Sequence, residues 1–347
     1  MIAGLIGAPY SGKTTVCRLL LGGALPHKGD TGVVIIPDDR LTKLAELYKP
    51  RKIVPAALEV RDCPSTVSWT GEGGAKEIAE LRNLDSLCIV LGGANLADKA
   101  AIIPELRTIL DELHLADQIV LEGKEERLHK ELPRAKPDVK MVLEQEAHIV
   151  KAARKALDCG DPSGLADLGN AGLEKLKGYA LFMQKPKIAI VNLPESMLAV
   201  VATIVDGLQQ EFKGIEAVAF DAALELELSL LLPEEQQEMR AAYGITEAAA
   251  GDLTAKLIAT CRLIHFFTVG DDEVRAWEVP QGTTAQRAAG AIHSDLERGF
   301  IRADVCQWDD LLKHGGWAGA KAAALARTEG RDYLVKDGDV MLVRHSG

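Results

Sequence analysis

Basic charge is in short supply in this sequence: over 347 residues, 40 Lys and Arg stand against 51 Asp and Glu, a formal net charge of −11. A uniformly acidic surface is repelled by phosphate backbones, so DNA is not an expected partner and any nucleic-acid contact must come from a local basic face. Aromatic residues make up only 4%, which leaves the core to Ala, Leu, Ile and Val. The six cysteines (Cys17, Cys63, Cys88, Cys159, Cys261 and Cys306) are scattered, with no C-x-x-C pair and no His/Cys ligand spacing. That pattern argues against zinc and against a disulfide framework, and fits free thiols in a reducing compartment. No apolar run approaches the ~18 residues of a membrane helix, and no charged stretch precedes the first apolar segment. The expected setting is therefore cytoplasmic, with no membrane partner. What is present is 47% apolar and 26% charged residues, an ordinary globular balance with chain enough for two or three domains at roughly 150 residues each.

Against that background, Gly7-Ala-Pro-Tyr-Ser-Gly-Lys-Thr14 matches the pattern G-x-x-x-x-G-K-[ST]. Its flanks are right for that motif. Ile2 to Ile6 reads as a short buried strand, and Thr14 to Leu21 as a helix beginning where the motif ends. Glycines let the backbone fold so that its N–H groups converge on anionic oxygens, and the helix N-terminus adds partial positive charge. Tyr10, Ser11, Gly12, Lys13, Thr14 and Thr15 are thus the expected phosphate-binding residues of a nucleotide site. Lys13 would reach the β- and γ-phosphates, making it the candidate catalytic side chain, and the Thr14 hydroxyl would ligate Mg²⁺.

Further strands are expected at residues 32–36, 56–61, 86–91, 187–191 and 215–220, separated by helical patterns, which argues for a parallel sheet with helices on both faces. The strand over 56–61 runs into Asp62, where a phosphate-loop protein commonly carries the carboxylate that holds Mg²⁺ through water. Residues from about 97 to 182 show no strand pattern and read as an inserted helical hairpin, broken by Pro133 and Pro137. Between 122 and 155, nine Lys/Arg face seven Asp/Glu. A solvated coiled-coil surface with i,i+4 pairs is the preferred reading there, ahead of an RNA-facing stripe. After residue 262 the style changes to short β-like runs (265–269, 273–279, 339–344), Gly/Asp turns, and a helix over 284–297. The expected architecture is α/β, a phosphate-loop sheet domain over residues 1–262 followed by a small α+β domain over 263–347.

Several words along the chain resemble the YchF/Obg-like ATPases, in the Obg-related branch of translation-factor GTPases. They include residues 36–45 (IPDDRLTKLA), 52–56 (KIVPA), Thr70-Gly-Glu-Gly73, Leu115-Ala-Asp117 and Glu125-Glu-Arg-Leu128. Stronger are Glu273-Val-Arg-Ala-Trp277, residues 288–295 (AAGAIHSD), Gly299-Phe-Ile-Arg-Ala303 and Asp337-Gly-Asp-Val-Met341, which look like the family's TGS domain, a ubiquitin-like β-grasp module. The resemblance spans nearly the whole chain. It implies an ATP- and Mg²⁺-dependent protein that engages the ribosome, through rRNA and ribosomal proteins. Where related GTPases hold guanine with N-K-x-D, this family has N-x-x-E, found here as Asn192-Leu193-Pro194-Glu195. With Asp221 and Ala222, in place of the S-A-K-like loop, these residues (Asn192, Leu193 and Glu195 of the first word) are the implied base-binding set. A longer carboxylate leaves a guanine donor unpaired at a cost of ~1–3 kcal/mol, so ATP is expected over GTP. Thr14 and Asp62 are the implied Mg²⁺ ligands.

The chain also departs from the family. Asp-x-x-Gly becomes Asp62-Cys63-Pro64-Ser65, and Thr66 stands where a hydrolytic Gln or an apolar residue is usual. The T-I-E-P word is absent, with Pro26-His-Lys-Gly-Asp30 in its approximate place and Thr31 a poor substitute. No side chain stands out as a catalytic base. Slow hydrolysis is expected, with a non-hydrolysing, nucleotide-gated binding protein as the alternative. A small-molecule kinase would need an Arg-rich lid, which the sequence does not offer. Cys63, beside the expected Mg²⁺ carboxylate, is the thiol whose oxidation would affect nucleotide binding.

Overall fold

A computed structural model of the chain describes residues 1–26, 30–64, 74–93, 96, 98–160, 165, 167–245 and 248–346. The expectations placed on Thr70 to Gly73, Ser65, Thr66 and His27 to Gly29 lie outside these residues. Twelve strands run through them: β1 (Ile2–Ile6), β2 (Thr31–Ile36), β3 (Lys52–Val54), β4 (Ala56–Asp62), β5 (Ser86–Gly92), β6 (Lys187–Asn192), β7 (Glu216–Phe220), β8 (Leu263–Val269), β9 (Glu273–Pro280), β10 (Phe300–Gln307), β11 (Arg327–Glu329) and β12 (Asp339–His345). The chain divides into two compact units, one of residues 2–31 and 60–246, the other of Met1, 32–59 and 247–347.

In the first unit β1, β5, β6 and β7 lie side by side in that order, each pair parallel. Parallel strands covered on both faces read as continuous apolar runs rather than as alternation. β5 obeys this, with six consecutive buried residues from Ser86 to Leu91. Ile6, Leu87, Ile89 and Leu91 pack with Leu106, Ile109 and Leu113 of the 30-residue helix Ile102–Glu131. That helix is about 45 Å long at 1.5 Å per residue. Its first half therefore belongs to the layer on the sheet, and only its second half forms the expected hairpin.

There Leu121 and Leu128 pack on Ile149, Val150, Ala153 and Leu157 of the returning helix Pro137–Cys159. Pro137 opens that helix at a position whose N–H would be unpaired anyway. The charged surface includes the expected i,i+4 pairs, Arg127–Glu131 and Lys130–Glu126. Shorter contacts cross the hairpin, from Arg127 to Glu146 at 2.9 Å and from Arg154 to Glu122 and Glu125. Where the hairpin leaves the sheet, fully buried Asp117 pairs with Arg82 at 2.9 Å and accepts from the amides of Phe182 and Met183. Lys187 donates to the carbonyls of Phe182 and Lys185 beside it.

In the second unit the strand order is β11-β10-β12-β8-β9-β3. β8 and β9 form an antiparallel hairpin, and β12 returns parallel to β8. Helix Ala285–Ile292 lays Ala285, Ala288 and Ala289 against Phe266, Phe300, Val305 and Met341. This is the expected β-grasp arrangement. β3 was not foreseen: three residues carry no periodicity, and the strand exists because it pairs in parallel with β9, Lys52 opposite Glu273 and Val54 opposite Arg275. β10 was hidden by a register shift between Phe300 and Arg302 that breaks its alternation. The helix expected over 284–297 is interrupted at His293, which is extended at φ −164° and caps Ser294–Arg298 through its ring nitrogen.

Asp38 caps helix Asp39–Tyr48 in the same unit, accepting from the Arg40 amide and guanidinium, with His265 Nδ1 at 3.0 Å. Burial pushes the Asp38 carboxyl up, but the hydrogen bonds from His265 and Arg40 and the Arg40 charge outweigh it and hold the group well below the usual carboxylate range. Arg40 pairs in turn with Asp337, whose other oxygen accepts the His265 amide. No helix among the described residues is long and apolar enough to cross a membrane.

Candidate functional site

The loop between β1 and helix Lys13–Leu20 wraps tightly because three of its residues have positive φ, Gly7 at 152° among them. Tyr10 sits at φ 65° and Gly12 at φ 92°. A left-handed backbone is strained for tyrosine and free for glycine. The Tyr10 side chain is 80% exposed, at the mouth of the loop. Lys13 is buried, and its ammonium donates to the carbonyls of Gly7 at 2.9 Å and Ala8 at 3.2 Å. Burial lowers its pKa, with partial compensation from the carboxylate of Asp62 and the sulfur of Cys63. One step along, the Thr14 hydroxyl donates to Asp62 Oδ2 at 2.6 Å. The strand pattern thus brings Asp62, 48 residues away in sequence, beside the loop.

The loop forms one side of a cleft of about 560 Å³ lined by Tyr10, Gly12, Lys13, Thr14, Thr15 and Gly93, with Asn192, Leu193, Pro194, Asp221 and Ala223 opposite. Asn192 ties the two sides together. Its amide donates to the Ser11 carbonyl at 3.0 Å, and its Oδ1 accepts the Ala222 amide at 3.0 Å. The Leu193 amide donates to Phe220. Asp221 caps helix Ala222–Ser229, with Oδ1 accepting the amides of Ala223 and Leu224 at 2.9 and 3.0 Å.

Of the residues expected from sequence, Tyr10, Gly12, Lys13, Thr14, Thr15, Asn192, Leu193 and Asp221 line the cleft. Ser11 is buried behind it, Ala222 is fully buried and contributes its amide, and Glu195 is exposed at the start of the turn Glu195–Val200 and does not line it. Gly93, Pro194 and Ala223 were not foreseen. Gly93 carried a readable signal, a glycine pair closing β5. A Cβ there would lie 2.3 Å from the Tyr10 carbonyl, so only glycine lets the loops approach. Cys63 is buried, and burial pushes its thiol up to about 11. The raised pKa lowers the thiolate fraction through which a thiol is oxidised.

The donor set fits a hard divalent cation. A hydroxyl and a carboxylate meet beside the loop, oxygen ligands of the kind that Mg²⁺ takes together with substrate phosphates. The chemistry these groups offer is anion binding at the loop, with its desolvated ammonium, and cation ligation by the oxygens of Thr14 and Asp62.

Comparison with known proteins gives a consistent picture. Residues 263–346 match a family model described as "YchF-GTPase_C: Protein of unknown function (DUF933)". The chain is 33% identical to a protein of Bacillus subtilis named "Ribosome-binding ATPase YchF", over 99% of each chain. It is 31% identical to "Obg-like ATPase 1" of Oryza sativa subsp. japonica, covering 98% of this chain and 91% of that one. Among solved structures, the Schizosaccharomyces pombe YchF GTPase has the same fold, with a TM-score of 0.80 at 24% identity over 99% of this chain and 97% of that chain.

Proposed function

Because the chain belongs to the YchF/Obg-like family of ATPases, we propose that it binds ATP with Mg²⁺, hydrolyses it slowly, and associates with the ribosome in the cytoplasm. The observation that carries this reading is the meeting at one cleft of the buried Lys13 ammonium, the Thr14–Asp62 pair at 2.6 Å, and the Asn192 tie to the loop. On this reading residues 1–262 act as the G domain, with the helical insertion at about 97–182, and residues 263–347 as the TGS domain.

The amides of residues 10–15 and the Lys13 ammonium grip the phosphates. The ammonium charge is worth more on the buried Lys13 than it would be in bulk solvent. Mg²⁺, when bound, neutralises the β- and γ-oxygens, and Thr14 and Asp62 are the side chains that hold it. Asn192, Leu193 and Asp221 wall the base end. Hydrolysis is slow on this reading because Pro64 stands two residues after Asp62, where its ring fixes φ and removes an N–H from the segment expected to orient the attacking water. At the far end of the hairpin, exposed Arg134, Lys136 and Lys140 offer the ribosome a local cationic surface on an otherwise acidic chain.

Three measurements test the reading. Lys13→Ala is expected to abolish most ATP affinity in equilibrium binding. Co-sedimentation with ribosomes should occur at low salt and weaken steeply as salt rises; its absence at low salt would remove the ribosomal part. Single-turnover hydrolysis with and without ribosomes reads the enzymatic part. Undetectable turnover in both conditions would leave a nucleotide-gated binding protein.

A further inference from the structure

We infer that Asp221, rather than Glu195, is the carboxylate that selects the base in this cleft, by accepting the exocyclic 6-amino group of adenine. The inference rests on the cleft being a nucleotide site. It starts from what each carboxylate can reach. Glu195 is exposed on the turn Glu195–Val200 and contributes nothing to the cleft wall. Asp221 lines the cleft together with Leu193, Pro194 and Ala223, on the segments that follow β6 and β7, two and three strands across the sheet from β1, whose following loop leads to Lys13 and Thr14. With the phosphates held at the loop, this is the part of the cleft left for the base.

The two oxygens of Asp221 have different duties. Oδ1 is committed to the helix start, accepting from the Ala223 and Leu224 amides. Those bonds fix the side chain's rotamer. Oδ2 makes no hydrogen bond among the described residues, so a rigid anionic acceptor is left over at a cleft wall. Adenine presents an amino donor at its 6-position, where guanine and hypoxanthine present a carbonyl oxygen. A fixed carboxylate therefore pairs with the first and repels the second. The helix cap thus doubles as the element that reads the base.

Inosine triphosphate confines the difference to one edge, because hypoxanthine differs from adenine only at the 6-position and the adjacent N1, which carries a proton, and lacks the 2-amino group of guanine. Equilibrium competition between ATP and ITP, each with Mg²⁺, is measured on the full chain. Asp221→Asn preserves the cap through its amide oxygen and presents an N–H₂ donor where Oδ2 stands. The ATP-to-ITP affinity ratio is expected to fall by about tenfold or more. Asp221→Ser, which also caps but carries no charge, should bring the ratio toward unity. It also serves as the second variant if Asn perturbs folding, which thermal unfolding checks. A ratio unmoved in both folded variants overturns the inference. So does a ratio that collapses in Glu195→Gln instead. If the unsubstituted chain binds neither triphosphate, or Lys13→Ala does not weaken binding, the nucleotide reading of the cleft falls. Normal Lys13-dependent binding with an unmoved ratio removes only the assignment of Asp221.

Discussion

The side chain of Asn192 donates to the main-chain carbonyl of Ser11 at 3.0 Å, so a residue at the end of β6 fixes the phosphate loop 181 positions earlier in the chain. The same side chain accepts the Ala222 amide. Asn192→Ala strips both bonds at once and leaves two partly buried main-chain groups unpaired, a loss of about 1 kcal/mol each. Nucleotide affinity is expected to fall at least tenfold with little change in unfolding cooperativity, as read by isothermal titration and thermal melts. Gly12→Ala should be worse. A Cβ at Gly12 would lie 2.2 Å from Asn192 Nδ2 on a backbone at φ +92°. Unchanged affinity in the Gly12→Ala protein would show that this tie does not hold the loop.

Thr14 and Asp62 meet at 2.6 Å, and their oxygens are the natural partners of a divalent cation. Thr14→Ala and Asp62→Asn are expected to lose most of the gain in ATP affinity that Mg²⁺ provides, while affinity measured in EDTA changes little. Titrations of ATP at fixed Mg²⁺ and in chelator separate the two. Equal losses in both conditions would mean that these side chains shape the loop and do not serve a metal.

Asp117 is fully buried and serves Arg82, the Phe182 amide and the Met183 amide together. Arg82 also stacks on the Phe182 ring at 4.4 Å. Removing one partner from a buried ion pair leaves an uncompensated charge, and such changes typically cost about 3–5 kcal/mol. Asp117→Ala is therefore expected to destabilise the chain by about that amount in urea unfolding, and to loosen the hairpin where it leaves the sheet. Hydrogen exchange in residues 179–184 reads the second effect directly. Protection there equal to that of the unsubstituted chain would contradict it.

Lys187 sits close by, and burial pushes its ammonium down to about 8, with Asp117 opposing the shift and Lys185 adding to it. Between pH 8 and about 10.4 the unfolded chain keeps the proton that the folded chain has released. Stability contributed at this site therefore rises with pH across that window, with a limit of about 1.4 kcal/mol per pH unit for one proton. Lys187→Met should flatten the dependence when unfolding free energy is compared at about pH 7.5, 8.5 and 9.5, one value below the window and two inside it. An identical slope in both proteins would place the titration elsewhere.

Much of this was legible before any coordinates. The strand–loop–helix at residues 2–20 is local chemistry: an apolar run, glycines where the backbone must turn, then helix formers. β5 and β6 were legible because a strand buried on both faces is apolar throughout, whereas the Asn192 word was marked by the family resemblance. β3 and β11 were not, because three-residue strands are made by their partners. Pro194 and Ala223 were missed as cleft residues because nothing in their own chemistry marks them; they line the cleft only because Leu193 and Asp221 are held beside the loop.

The sequence by itself determined the tight loop over residues 7–12, the parallel strands around it and the helical hairpin, since each depends on side-chain types a few positions apart. Only the tertiary structure decided which carboxylate faces the cleft, that Asn192 clasps Ser11, and that residues 52–54 join a sheet built from the last third of the chain. Those outcomes rest on contacts between segments tens to hundreds of residues apart. A single hydrogen bond at that separation leaves no periodic trace in the chain, because neither partner's neighbours need to change to make it.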